Sequence, residues 1–364
     1  MAEISFARGI PGPDLLPTEA FGAAAQAAAA HDGARALNYG PPSGYPPLRD
    51  WVAGRHDIAP ERIVLTTGSL QGFHFVAHHF VTEGATFFIE APCYDRSVGI
   101  LRALGAKAVA IPQTGEGLDV DALTVALEGT PGPKIVYTIP TFQNPSGRTL
   151  GRASRERLLE VAGSTGATVL EDDPYGLLRF EGEDVPTIFE LSGGTSLFLS
   201  SFSKTVAPGI RVGYVILPEE LVAPVERQVL ENYVSPSIFV QAALAEFVAG
   251  GQFERNIETV RDGLRIRRDA MLDALERELS GAAEWNRPEG GYFLWLDLPG
   301  VDAMALMQRA ATEGVTFVKG ADFFLSGGGD QAVRLAFSFA TADEIGEGVA
   351  RLATSVRDLA SVPA

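Results

Sequence analysis

The most chemically suggestive cluster in this 364-residue chain is Ser201-Phe202-Ser203-Lys204-Thr205, followed by Pro208-Gly209-Ile210-Arg211. A lysine at the end of an apolar run is ordinarily a solvated surface group. Here two hydroxyls flank it and an arginine follows seven residues on. Ser201, Ser203 and Arg211 can together hold a phosphate, because a guanidinium forks onto phosphate oxygens and hydroxyls donate single hydrogen bonds, while Lys204 reaches an aldehyde beside it. Thr66-Thr67-Gly68-Ser69-Leu70-Gln71 suits the same ligand. Gly68 permits close backbone approach, and free amides at a helix start attract an anion, although the six residues also suit a plain strand-to-helix turn.

Other segments are ambiguous one by one. Glu171-Asp172-Asp173-Pro174-Tyr175 ends an apolar run, where acids commonly cap helices or face water. Asn144-Pro145-Ser146-Gly147 is a turn sequence by composition. Tyr94, in Ala91-Pro92-Cys93-Tyr94-Asp95, equally suits a core aromatic, and Cys93 reads as packing rather than as a nucleophile. The stretch Tyr39 to Arg49 is rich in glycine and proline and reads as a loop. Val333-Arg334-Leu335-Ala336-Phe337 is a strand pattern carrying one arginine, ordinarily a salt-bridged surface group.

Taken together and in this order, these segments resemble fold-type-I pyridoxal-phosphate (PLP) aminotransferases of class I and II. The subgroup is that of 2-aminoadipate aminotransferases and the catalytic halves of MocR-type regulators, and the resemblance runs nearly end to end from Ile4-Ser5-Phe6. It implies pyridoxal 5'-phosphate held as an aldimine on Lys204, which then shuttles the proton at the substrate α-carbon. By the same resemblance Asp172 pairs with the pyridine nitrogen, chosen over Asp173 for its spacing to Tyr175. Tyr175 and Asn144 share the phenolic oxygen, and Tyr94 stacks on the ring. Ser69, Leu70, Ser201, Ser203 and Arg211 take the phosphate, joined by Tyr45 from a neighbouring subunit, so that a homodimer has composite sites. Arg334 grips the substrate α-carboxylate in a bidentate fashion, and Gly9 and Asn144 also border the substrate. Two residues depart from the subgroup: Arg8 stands where a glycine is common, and Lys319 where a proline is common. Arg8 is expected to contact a polar or acidic substrate group, or else to point to solvent.

Short β-branched or aromatic runs must carry these residues, alternating with longer amphipathic ones, which predicts an α/β fold with a mostly parallel sheet. Seven strands are expected: Arg62–Thr66, Thr86–Glu90, Lys107–Ile111, Lys134–Ile139, Ala167–Glu171, Ser196–Ser200 and Val212–Leu217. Helices are expected over Leu70–Val81, Asp95–Leu104, Val120–Leu127 and Arg152–Gly163, with more between Ser237 and Leu279, broken near Gly250-Gly251. Strand character returns at Tyr292–Leu298. The expected architecture is a three-layer αβα large domain over 38–264 and a smaller α+β domain made from both chain ends, 1–37 and 265–364. Pro11, Pro13 and Pro17 suggest an extended beginning.

Composition narrows the partners. A formal net charge of −17 opposes nucleic acid and anionic membrane, and 46% hydrophobic residues supply a large core. With one cysteine and five scattered histidines there is no disulfide framework and no zinc-like spacing, so no metal is expected and a reducing cytoplasm fits. No apolar run approaches the roughly 20 residues that span a bilayer. The expected activity is transfer of an amino group between an L-amino acid and a 2-oxo acid. The same site could instead host decarboxylation, elimination, cyclisation or oxidation. A PLP-sensing regulator would need a DNA-binding domain ahead of the segment that begins at Ile4.

Overall fold

The seven runs expected as strands of the large domain close into one central sheet of the computed structural model, which describes residues 2–360. The spatial order is Ile63–Thr66, Gly213–Ile216, Leu197–Ser201, Ala167–Asp172, Lys134–Thr138, Thr86–Ala91, Lys107–Thr114 and Gly117–Leu118. The sheet therefore has eight strands rather than seven. The eighth, Gly117–Leu118, folds back antiparallel on Gln113 and Thr114 at the edge, and two residues are too few to carry a period-2 signal. The five strands from Lys107–Thr114 to Leu197–Ser201 run parallel, and Gly213–Ile216 is antiparallel to both its neighbours.

The strands read as continuous apolar runs because both faces are covered. Phe87, Ile89, Ile135, Tyr137, Leu170, Leu197 and Leu199 enter one core cluster. The residues between them go the other way: Phe88, Val136 and Val169 pack against Leu123, Leu158 and Val161, and Phe198 packs with Leu48, Val52 and Phe247. That alternation makes the middle of a three-layer αβα arrangement. Each fully buried large side chain contributes about 1.5–3 kcal/mol over leaving it exposed.

A second sheet is antiparallel, in the order Glu284–Trp285, Phe293–Asp297, Ala332–Ala336, Val318–Lys319, with Ala342–Ala360 packed along Gln252–Leu279 beside it. The chain's beginning divides. Ile4–Ser5 pairs in parallel with Val315–Thr316, but Thr18–Ala36 is helical and lies along Ile238–Ala249, burying Ala24, Ala28 and Ala36 with Ala242 and Ala243. Small alanine side chains let these two helices approach closely, so 18–36 packs with the large unit and not, as expected, with the small one. Gln252–Leu279 likewise runs unbroken past 264 and serves both units. Among the described residues no helix is long and apolar enough to cross a membrane.

Candidate active site

The parallel strands all end on one edge of the sheet, and the segments leaving Ala91, Thr138, Asp172 and Ser201 meet there, where open α/β sheets bind ligands. A cavity of about 500 Å³ opens at this edge, and the Ala332–Ala336 and Phe293–Asp297 strands bring Arg334 and Phe293 to its far wall. Gly9, Ser69, Leu70, Tyr94, Asn144, Asp172, Tyr175, Ser201, Ser203, Lys204, Arg211 and Arg334 all line it.

One end is a cup of donors. Gly68 precedes the helix Ser69–Thr82 with φ +88°, and a Cβ there would meet Arg211 Nη2 at 2.5 Å. Gly213 is equally confined, its Cβ position 2.5 Å from Ser69 N. These two glycines let the helix start, its first amides lacking intrahelical partners, press against the arginine. Arg211 donates to Ser203 Oγ at 3.2 Å and to Thr67 O at 2.9 Å, and Ser201 Oγ donates to Ser203 Oγ at 2.9 Å. Guanidinium, hydroxyls and helix amides converging on one spot form an anion site.

The other end holds charges under tension. Lys204 Nζ donates to Gly9 O at 2.6 Å and lies 5.3 Å from the Tyr292 ring centre. Burial holds the amine down to about 8, helped by Arg334 and Arg211 and opposed by Asp172. Burial pushes Asp172 up to about 7, opposed by a hydrogen bond from Tyr137 and by Lys204 and reinforced by Asp173. Tyr137 Oη donates to Asp172 Oδ2 at 2.8 Å, and Oδ1 is buried without a partner. Asp173 turns to the opposite side, where its carboxylate accepts from Gly176 N at 2.7 Å, so only Asp172 reaches the cavity. Arg334 donates to Asn144 Oδ1 at 2.9 Å and to Ala7 O at 2.8 Å. It lies over the Phe293 and Phe323 rings at 4.3 and 5.0 Å, and its Nε is buried without a partner. The Tyr175 ring packs on Tyr292 and Phe293, and burial pushes its phenol well above the ordinary range.

Two expected residues lie elsewhere. Tyr45, 6% exposed, precedes the helix Pro46–His56; its N–H donates to Gln241 and its hydroxyl to Asp32 at 2.8 Å. Its ring packs in the apolar cluster under that helix, within its own chain and away from the cavity, rather than standing free for a neighbouring subunit. The exposed ring of the same loop is Tyr39, 80% exposed. Arg8 is exposed, its guanidinium 5.0 Å above Phe339, while Ala7 and Gly9 on either side line the cavity. Lys319 pairs with Asp322 and only its neighbour Val318 faces the cavity. Sequence reasoning missed Tyr137, whose face was legible in principle: it pairs with Leu170, and Asp172 lies two residues on, hence on the same side. It also missed Phe293, Phe323, Asp95 and Arg96, which line the cavity with no local motif.

Comparison with known proteins gives a consistent answer. The family model described as "Aminotransferase class I and II" matches residues 11–352. The chain is similar to the 2-aminoadipate transaminase of Thermus thermophilus, 37% identical over 98% of this chain and 90% of that protein. It is also similar to aromatic-amino-acid aminotransferase 1 of Thermococcus litoralis, 34% identical over 98% of this chain and 88% of the other. The solved alpha-aminoadipate aminotransferase of Thermus thermophilus, complexed with N-(5'-phosphopyridoxyl)-L-leucine, superposes with TM-score 0.94 at 36% identity, covering 99% of this chain and 93% of that one. The chain belongs to the class I and II aminotransferase family and is a PLP-dependent aminotransferase. Its residues fit that cofactor: the donor cup suits the phosphate, the unpartnered Asp172 Oδ1 suits a protonated ring nitrogen, and Lys204 stands between them.

Proposed function

We propose that this enzyme moves the amino group between an L-amino acid and a 2-oxo acid, with Lys204 both anchoring the cofactor and moving the proton. The observation that carries this reading is the convergence on one cavity of a lysine with a lowered pKa, a buried carboxylate with one oxygen unpartnered and a buried guanidinium whose Nε is unpartnered. When bound, pyridoxal phosphate supplies an electron-poor ring that stabilises negative charge at the substrate α-carbon.

The chain's own residues do the rest. Ser201, Ser203, Arg211 and the amides of Ser69 and Leu70 would hold the cofactor's phosphate. Asp172 would pair with the ring nitrogen and keep it protonated, Tyr94 would stack on the ring, and Asn144 and Tyr175 would serve the phenolic oxygen. Arg334, already turned by Asn144 and Ala7, meets the substrate carboxylate with Nε and Nη groups. Lys204, held near 8, is partly neutral at physiological pH, and its free amine would take the proton from the substrate α-carbon and hand it back on the far side of the substrate nitrogen. Holding reactant and base in one enclosed site replaces a bimolecular encounter with a positioned one.

The functional unit is a homodimer in this reading. Leu37, Tyr39, Leu230 and Val234 are exposed apolar side chains, and Gly40 N donates to Ser235 Oγ, which joins the two segments that carry them. Tyr233 reaches Gln71 in the helix behind the phosphate cup, so a second copy seated on this patch would bring Tyr39 toward the neighbouring site. A cytoplasmic location is in keeping with the single, buried Cys93.

Borohydride reduction of the holoenzyme followed by peptide mapping tests the anchor; a pyridoxyl label on any lysine other than Lys204 overturns it. Incubation with an amino acid and 2-oxoglutarate tests the reaction. Glutamate and the matching 2-oxo acid in equal amounts are expected, whereas release of carbon dioxide or ammonia without glutamate favours a non-transaminating chemistry. Light scattering reads the oligomer, and a monomer with full activity removes the composite site.

A further inference from the structure

Asp172 is braced from behind by groups that do not touch the cavity. Tyr137 Oη lies 2.8 Å from Asp172 Oδ2 and 2.9 Å from Ser97 Oγ. All three residues are buried, and they come from three elements: Lys134–Thr138, Ala167–Asp172 and the helix Asp95–Ala103. The Phe73 ring, 4.5 Å from that of Tyr137, limits how the phenol can move. The direction of the chain follows from the donor inventory. An ionised carboxylate only accepts, so the single phenol proton of Tyr137 lies on Asp172, and Ser97 must donate to Tyr137. Ser97 is in the first turn of the helix that Tyr94 precedes, so the brace joins the ring-stacking side chain to the carboxylate.

We propose that Tyr137 is a positioning residue: its hydroxyl, supported by Ser97, favours the ionised form of Asp172 and leaves Oδ1 free for the ring nitrogen of the bound cofactor. This rests on the reading of Asp172 as the ring's partner given above. The need is electrostatic. Burial and the adjacent Asp173 both favour the protonated carboxyl, and the opposing influences are the Tyr137 hydrogen bond and, more weakly, Lys204 from the segment after Leu197–Ser201. Cys93, Tyr94, Tyr137 and Tyr175 also face Asp172, but burial pushes each of them up, so they remain neutral through the physiological range. Without the phenol proton, Asp172 would take up a proton at a higher pH and lose its preferred oxygen orientation.

The test compares wild-type protein, Tyr137→Phe, Ser97→Ala and Asp172→Asn, each stripped of cofactor. Pyridoxal phosphate binding is measured by equilibrium dialysis across pH, and inorganic phosphate binding by competition. Tyr137→Phe keeps the ring that packs on Phe73. It should weaken cofactor binding about tenfold to a hundredfold, the range of a charge-assisted hydrogen bond, and move the acid limb of binding to higher pH. Phosphate binding should hold. Ser97→Ala should act in the same direction with a smaller effect, and Tyr137→Phe should add little in an Asp172→Asn background. Wild-type affinity and an unmoved acid limb in Tyr137→Phe overturn the inference, as does an equal loss of phosphate and cofactor. Additive losses in the double variant do so as well, and should Tyr137→Phe fold poorly, wild-type affinity and an unmoved acid limb in Ser97→Ala overturn the inference in its place. If wild-type protein takes up no pyridoxal phosphate at all, the reading of the whole site falls and this inference with it.

Discussion

The two ends of the cavity are built on opposite principles. At the phosphate end Arg211, Ser201 and Ser203 already bond to one another and to Thr67, and the glycines at 68 and 213 lock the backbone around them. At the ring and carboxylate end Asp172 Oδ1 and Arg334 Nε are buried without partners, and the amine of Lys204 and the carboxyl of Asp172 sit well off their ordinary values. The side chains of the first end are partnered before any ligand arrives, whereas the second keeps a carboxylate oxygen and a guanidinium nitrogen that only a ligand can satisfy. Binding affinity can therefore come largely from the rigid cup, while reactivity comes from groups whose environment disfavours them when alone. Altering one end should then differ in kind from altering the other.

The largest break is expected at Lys204. Lys204→Ala should lower transamination by about 10³-fold or more, since a general base alone contributes ~10²–10⁴, and it also removes the covalent anchor. The cup should still retain cofactor reversibly. Rapid-reaction kinetics and cofactor absorbance after gel filtration check the two halves, and cofactor lost entirely from the variant would argue that the cup is not a binding site of its own.

Asp172→Asn comes next and should separate function from stability. The rate is expected to fall about a hundredfold, because the ring nitrogen loses its ion pair. The cofactor-free protein should meanwhile gain stability. A carboxyl whose folded value is raised to about 7 stays protonated in the fold while the unfolded chain ionises from about 4 upward. The unfolded state then binds fewer protons, so stability from this group is greatest at low pH, declines as pH rises toward 7, and stays low above it. The asparagine variant lacks that decline. Its melting temperature should exceed that of wild type by a margin that grows between pH 5 and pH 8; a constant margin would mean that Asp172 does not titrate in this window.

At the cup the effects should be smaller and of one kind. Arg211→Lys and Ser203→Ala are each expected to weaken cofactor affinity about tenfold, near the value of one charge-assisted hydrogen bond. Turnover at saturating cofactor should change little, since contacts equal in ground and transition states do not alter kcat. A drop in kcat with unchanged affinity would erase the contrast between the ends.

These contrasts were partly legible in the sequence. The parallel strands were, because burial on both faces writes them as unbroken apolar runs. Among the cavity residues at strand ends and in turns, Ser203-Lys204 carries its own local chemistry, whereas Gly68-Ser69 and Asn144-Pro145 read as turns until the family resemblance gives them a ligand. What was hidden depends on orientation. Tyr137 lies inside a strand and shows its role only through register with its neighbour. Tyr45 and Tyr39 share a loop, and packing against Ile238–Ala249, far off in sequence, decides which one is buried. The helix Thr18–Ala36 is alanine-rich on nearly every side, so no apolar stripe announced where it would dock.

Arg8 tests the boundary of the site with the smallest effect. It was singled out because a charged residue stands where the related sequences commonly have glycine, next to Gly9, whose carbonyl accepts from Lys204. The fold sends its side chain out of the cavity and over Phe339, an exposed cation–π contact of about 0.5–1 kcal/mol. Arg8→Ala should cost no more stability than that and leave the ranking of acidic, neutral and basic amino donors unchanged, because Ala7 and Gly9 keep their positions in the wall through the Arg334 and Lys204 hydrogen bonds. A donor-by-donor comparison of kcat/KM is the measurement. Selective loss of acidic donors would mean that substrate draws Arg8 off Phe339 and into the cavity, extending the ligand-satisfied end beyond Arg334.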